Sequence, residues 1–222
     1  METLHEIRKR YSNAKRVSEE IYQTLRSAMI DNVLQSGASL VEAELASQFD
    51  VSRAPVREAL KRLEIEGFVT YEQKYGLRVK TFSFVECYEN SEALEYIHLG
   101  TMLNAAEKIT PVNVMLLRDN IAKIHTIPQS NTIEIAKQLQ DFHGIIIKSI
   151  NNDSLVQIYN SLYHKFIFIL NRYPPTDIDD GVSGQHQHLC DLMEAHDVEL
   201  TWKLALEHSR RTLAIRAKRY LG

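Results

Sequence analysis

Arg53, Arg57 and Lys61 recur at intervals of four residues within VSRAPVREALKRLE. Side chains so spaced share one face of a helix. Arginines near the start of a helix can reach guanine N7 and O6, or phosphates, when the helix lies in the DNA major groove. The surrounding charge fits such a partner. Residues 51–80 carry seven basic and four acidic side chains, and residues 8–16 carry five basic and none acidic, although the whole chain has a net charge of −3. Phosphates feel the local field, so an acidic protein with a basic patch can bind nucleic acid. A merely solvated basic face would account for the same residues. A second concentration of reactive side chains lies further on, where eight of the nine histidines fall beyond residue 97.

The elements that must position the cations follow from apolar spacing. Val17, Ile21, Leu25 and Ala28/Met29 mark one helix, and Gly37 breaks the chain. A second short helix covers Glu42–Phe49 with Leu45, Ala46 and Phe49 inward. After a tight turn at Asp50–Val51, Ser52 is placed to N-cap a third helix that runs to Leu63 or Gly67. Pro55 sits in its first turn, where a missing N–H costs no intrahelical bond. Val56, Leu60 and Leu63 form the inward stripe, away from the cationic row. Then FVTYEQKYGLRV alternates Val69/Tyr71, turns around Gln73–Gly76 and resumes with Leu77/Val79, a β-hairpin pattern. Helix, turn, helix and hairpin make a winged helix-turn-helix.

From Phe84 onward the apolar periodicity is helical over 84–108, 112–125, 131–150, 154–171, 183–195 and 197–220. Six helices predict an antiparallel bundle with a central cavity. The fold class is therefore mainly α, with domains at 1–81 and 82–222. Eight glycines and five prolines in 222 residues agree with few turns. No apolar run approaches the ~18–20 residues of a membrane span, and the first twenty residues lack the apolar stretch of a secretory signal. Cys87 and Cys190 are too few for a disulfide framework. A cytoplasmic protein with reduced thiols and no membrane partner is expected.

LVEAELASQFDVSRAPVREALKRLEIEGFV resembles the signature of the GntR family of bacterial transcription regulators. VSRxPVREAL, LExEG and a wing glycine all fall in register. The resemblance implies that Ser52, Arg53, Arg57, Tyr75 and Gly76 touch operator DNA, with Ala54, Pro55 and Lys61 on the same contact surface. Family members often carry an arginine where Ala43 stands, so one contact is missing here.

The second half resembles the FCD effector domain of the FadR subgroup. That resemblance implies a divalent-metal site of one Asp and three His, for which this chain offers His143 in QDFHGII, His186 in GQHQHLCDLM and His208 in ALEHSRRTL. Three neutral imidazoles suit Zn²⁺ or another borderline transition metal. Two departures stand out. Leu139 occupies the place of the aspartate four residues before His143, and Asp141, about 200° around a helix from His143, cannot replace it. Ser91 stands in CYENSEALEY where family sensors of carboxylic acids often place an arginine, the natural bidentate partner of a carboxylate. His188 is expected at the surface, while His98, His125, His164 and His196 carry no motif.

The expected function is a ligand-responsive regulator, acting as a repressor, that binds a palindromic operator as a homodimer and is controlled by a small molecule, a metal or both. The alternative is a metal-dependent hydrolase on the three histidines. Against it, the sequence contains no nucleophile motif, no phosphate loop and no carboxylate placed as general base.

Overall fold

The computed structural model describes residues 4–176, 178 and 180–222, with side chains from residue 16 onward except at 180, 182 and 183. The chain divides into two units, Met1–Thr81 and Phe82–Gly222.

In the first unit, α1 (Leu4–Ile30) packs on α3 (Arg53–Ile65), with α2 (Glu42–Gln48) lying against α3. Helix α1 starts well before the Val17–Met29 stretch marked by apolar spacing. Ile21, Tyr22, Leu25 and Met29 face Val56, Ala59, Leu60 and Leu63, all buried. Each such side chain contributes ~1.5–3 kcal/mol of burial. Polar contacts fasten the same interface: the Tyr22 hydroxyl donates to Glu66 at 2.7 Å, and the Arg62 guanidinium lies 3.7 Å above the Tyr22 ring. The turn from α2 to α3 places Asp50 at φ +52°, a left-handed conformation that Asp tolerates better than most residues.

Glycine fixes the exit from α3. Gly67 adopts φ +78°, while its N–H bonds Glu64 and that of Phe68 bonds Leu63, which is the Schellman pattern. The chain then enters the hairpin of β1 (Val69–Glu72) and β2 (Gly76–Val79), with Val69 opposite Val79 and Glu72 opposite Gly76. Residues 37–40 pair along the other edge of β2 through Gly37, Leu40 and Val79.

Ser52 holds the N-cap backbone position of α3, but its side chain makes no capping bond. One of its two possible donors is missing: the third helical position is Pro55, which has no N–H for the hydroxyl to accept. Phe49, expected inward, is only half-buried.

The second unit contains α4 (Phe84–Lys108), α5 (Pro111–Thr126), α6 (Thr132–Ser149), α7 (Asp153–Arg172), α8 (Asp180–Glu194) and α9 (Val198–Tyr220). Helix α8 begins three residues earlier than periodicity indicates. Caps explain most starts. Ser83 and Glu86 form a capping box on α4, as do Thr110 and Asn113 on α5. Asn131, Asn152 and Asp197 accept the first free N–H groups of α6, α7 and α9. Helix α8 also ends in a Schellman pattern, with His196 at φ +53° taking the place usual for glycine and its Nδ1 donating to the Ala106 carbonyl at 2.9 Å. His196 is thus a structural residue.

Helix α4 is central and packs on α6, α7, α8 and α9. Met102, Ala105, Leu117, Phe142, Ile146, Leu189 and Met193 form the heart of the core. Cys87 and Cys190 are buried and free, and burial raises both thiols to about 11, so they remain protonated and inert.

Gly144, on α6 next to His143, tests this packing. A Cβ there would meet the Tyr159 ring at 3.2 Å and its hydroxyl at 2.8 Å, and that hydroxyl is tied to the Gln140 carbonyl. Helix propensity alone favours Gly144→Ala by ~1 kcal/mol, whereas overpacking a buried site costs ~1–3 kcal/mol. The expected result is a lower denaturation midpoint for the variant, measured with chelator present. A higher midpoint would show that Tyr159 yields.

Candidate metal centre and nucleic-acid interface

The three histidines come from three helices, His143 from α6, His186 from α8 and His208 from α9, and they meet. Nε2 of His208 lies 3.3 Å from Nε2 of His186 and 3.3 Å from Nε2 of His143. Two metal–nitrogen bonds of ~2.0–2.1 Å at a tetrahedral angle span ~3.3 Å, so both separations match edges of a zinc tetrahedron. All three rings are at least 96% buried.

Neighbouring groups fix the rings. Nδ1 of His208 donates to Gln185 Oε1 at 3.1 Å, which leaves its Nε2 as a lone pair aimed at the other two nitrogens, the outer-shell arrangement that metal-bound histidines favour. Phe142 stacks on His186 with centroids 4.2 Å apart, and His98 stacks on His143 at 4.0 Å. Burial pushes His143 and His186 well below the usual histidine range, with the neighbouring histidines adding to the effect. His208 is also lowered, again chiefly by burial. The rings are therefore neutral at physiological pH, the form in which imidazole binds metal.

A cavity of about 710 Å³ opens beside the trio, lined among others by Glu95, Leu139, Gln140, Thr212 and Arg216. Leu139 faces it where the family aspartate is expected. Asp141 does not: its carboxylate accepts the Tyr163 hydroxyl at 2.7 Å in a separate pocket lined by Asn120 and Tyr159. Ser91 is buried and donates to the Cys87 carbonyl. His188 and His125 are exposed, and His164 is half-buried.

Two residues of this region carried no signal in the histidine motifs. His98 of α4 is buried, and its Nε2 accepts from the Gln140 amide at 2.8 Å. Glu95, one turn earlier, is also buried. Its Oε1 lies 3.6 Å from His98 Nδ1, and its Oε2 has no hydrogen-bond partner. The Glu-x-x-His spacing on α4 was the available clue, since residues three apart share a helix face.

In the first unit, Ser52, Arg53, Ala54, Arg57 and Lys61 are exposed and Pro55 is half-buried. Arg57 pairs with Glu42 of α2 at 2.8 Å, an exposed pair that adds little stability but orients the guanidinium. Tyr75 is exposed at the hairpin tip, with Arg78 and Lys74 over its ring. Gly76 follows at φ +76° with open space around it.

The model of the bacterial regulatory proteins of the gntR family matches residues 17–79, and that of the FCD domain matches residues 90–211. The chain is a GntR-family transcription regulator with an FCD domain. Among curated relatives, the Nta operon transcriptional regulator of Aminobacter aminovorans is 26% identical over 132 residues, 60% of this chain and 63% of that protein. The gluconate operon transcriptional repressor of Bacillus licheniformis is 32% identical over 145 residues, 62% of this chain and 57% of that protein. The chain thus spans less than two thirds of the length of both. A solved GntR regulator from Rhodococcus sp. RHA1 shares the fold at a TM-score of 0.70 and 18% identity, covering 94% of this chain and 99% of that one. The family and its relatives are regulators, not enzymes, which sets aside the hydrolase alternative. Among the described residues, no helix is long and apolar enough to cross a membrane.

Burial of the neutral rings has a consequence for stability. Their folded-state pKa values lie below the unfolded value of about 6.5, so below that pH the unfolded chain takes up protons that the folded chain refuses. Stability is fully present above pH ~6.5 and falls as pH drops, by up to ~1.4 kcal/mol per unit for each ring. Urea midpoints of the metal-free protein should be nearly level above pH ~6.5 and fall steeply from there to pH ~5, and less steeply for His186→Asn. Equal slopes would mean that the rings protonate freely in the folded state.

Proposed function

We propose that this protein is a ligand-responsive repressor of the cytoplasm that binds a two-fold symmetric operator as a homodimer, with a divalent transition metal such as Zn²⁺ held by His143, His186 and His208. A small-molecule effector shares the cavity and adjusts DNA affinity. The observation that carries the ligand-responsive reading is the convergence of three buried, neutral imidazole nitrogens, 3.3 Å apart in successive pairs, on a cavity of about 710 Å³. A bound ion supplies a fixed Lewis-acidic centre in that cavity. His143, His186 and His208 would hold it, and Gln185 orients His208.

The DNA-binding half of the reading rests on the face of α3. Arg53, Arg57 and Lys61 present a cationic row, and Ser52 leaves its hydroxyl unspent at a helix start, where backbone N–H groups favour phosphate. Tyr75 and Gly76 at the wing tip approach the backbone beside the groove. Two copies reading two half-sites give the homodimer its role. A relative named for a gluconate operon supports control by a small molecule, whose identity for this chain is open to direct measurement.

The DNA test uses an operator selected from a randomised pool by the wild-type protein, and the enriched sequence should be two-fold symmetric. Arg53→Ala and Arg57→Ala should each weaken binding by ~1–3 kcal/mol if the arginine reads a base, or chiefly reduce the salt slope if it meets a phosphate. Gel shifts at two salt concentrations separate these cases. Wild-type affinity in both variants, with folding intact, would remove α3 as the recognition helix. For the metal, competition with a zinc indicator should show one Zn²⁺ per chain and at least tenfold weaker binding for His208→Ala. Failure of the wild-type protein to bind zinc would reduce the trio to a packed histidine cluster.

A further inference from the structure

A divalent cation among three neutral imidazoles leaves two positive charges in a buried site, and an uncompensated buried charge is costly. The aspartate that normally answers this charge is Leu139 here. The described cavity wall also carries Arg216 and Lys218, which oppose a cation. Among the described lining residues, one carboxyl group is present, that of Glu95. It is 95% buried, and its Oε2 has no hydrogen-bond partner. Its other oxygen faces His98, whose far nitrogen is tied to Gln140 of α6, and the His98 ring lies flat on the His143 ligand. Glu95 thus lines the cavity of the trio with one oxygen unspent and the other facing His98 Nδ1, which also has no hydrogen-bond partner.

We propose that Glu95 of α4 provides the negative charge of the three-histidine site, where α6 carries Leu139 instead of an aspartate. Glu95 acts from outside the ring of nitrogens. The histidine ligand atoms lie within 4.8 Å of one another, and among the described residues no carboxylate oxygen joins that group. It is a positioning and charge-balancing residue, and the inference rests on the metal reading given above. One consequence is specific: Glu95 and an aspartate at position 139 would do the same work, so their effects on zinc affinity cannot be independent.

The test is a double-mutant cycle on the full-length protein, with zinc affinity measured by indicator competition and folding followed by circular dichroism. Glu95→Gln should weaken zinc binding 10–100-fold, the range seen when outer-shell partners of a metal site are removed. Leu139→Asp should restore most of that loss in the Glu95→Gln background, and should tighten binding far less in the wild-type background. A purely structural role for Glu95 predicts the same gain from Leu139→Asp in both backgrounds, and that result would overturn the proposal. So would unchanged zinc affinity in Glu95→Gln, which leaves the metal reading intact. Absence of zinc binding by the wild-type protein overturns both. If Glu95→Gln does not fold, Glu95→Asp, which withdraws the carboxyl by one methylene, takes its place. Weakened binding supports the inference and unchanged binding overturns it.

Discussion

Three imidazole rings packed against one another in a protein interior are tolerable only when uncharged. That single constraint organises the C-terminal unit. A protonated ring here would sit beside two potential cations in low dielectric, so burial and mutual proximity both drive the rings neutral. Neutral rings carry lone pairs that must be answered, and Nε2 of His208 faces two other nitrogens while its only proton goes to Gln185. A dry core would be better served by leucines of similar volume. The flat faces instead are covered by Phe142 and His98, and the edges open on a cavity. Packing here holds three imidazole nitrogens together at the edge of that cavity.

The N-terminal unit obeys a different rule, in which interior and working surface are separated on one short helix. Helix α3 commits Val56, Ala59, Leu60 and Leu63 to α1, which leaves its cationic face outside the core, where Arg57 makes an exposed pair with Glu42 of α2. Gly67 and the hairpin register then fix where Tyr75 and Gly76 emerge. Substitutions on the exposed face should alter recognition without altering the fold, because the two sets of residues share no contacts that the core needs.

Legibility from sequence followed the physical range of each signal. Short-range signals were readable: the helical stretches beginning at 112, 131 and 154 start within two residues of the capping Thr110, Asn131 and Asn152, and Gly67 marks a helix end because few other residues accept its φ. The cationic row on α3 and the apolar stripes were readable through periodicity. The extension of α1 to Leu4 was missed although Leu4, Ile7, Tyr11 and Ala14 recur at helical spacing, because the segment before Val17 is dominated by charge. Ser52 looked like a capping residue, yet Pro55 three positions later removes one of its two donors, an interaction between two local rules. Glu95 and His98 escaped notice because their meaning is tertiary. Their spacing places both on one face of α4, but only the packing of α4 against α6 brings that face to His143.

Helix packing also explains why an occupant of this cavity would matter to the bundle. Helix α6 packs mainly on α5, α7 and α4, whereas α8 and α9 pack on one another and on α4, with α8 also reaching α5. His143 therefore belongs to one group of helices, and His186 and His208 to the other. A ligand or ion that engages all three nitrogens gains its full interaction energy only when the two groups stand at one separation. Any ligand shifts a conformational equilibrium by no more than its differential affinity for the two states, and a site divided between two groups of helices is where that difference can be large. Glu95 and His98 lie on α4, which packs on both groups, so the proposed balancing charge is not tied to one group alone. A carboxylate on α6, as in the family pattern, would move with His143 alone.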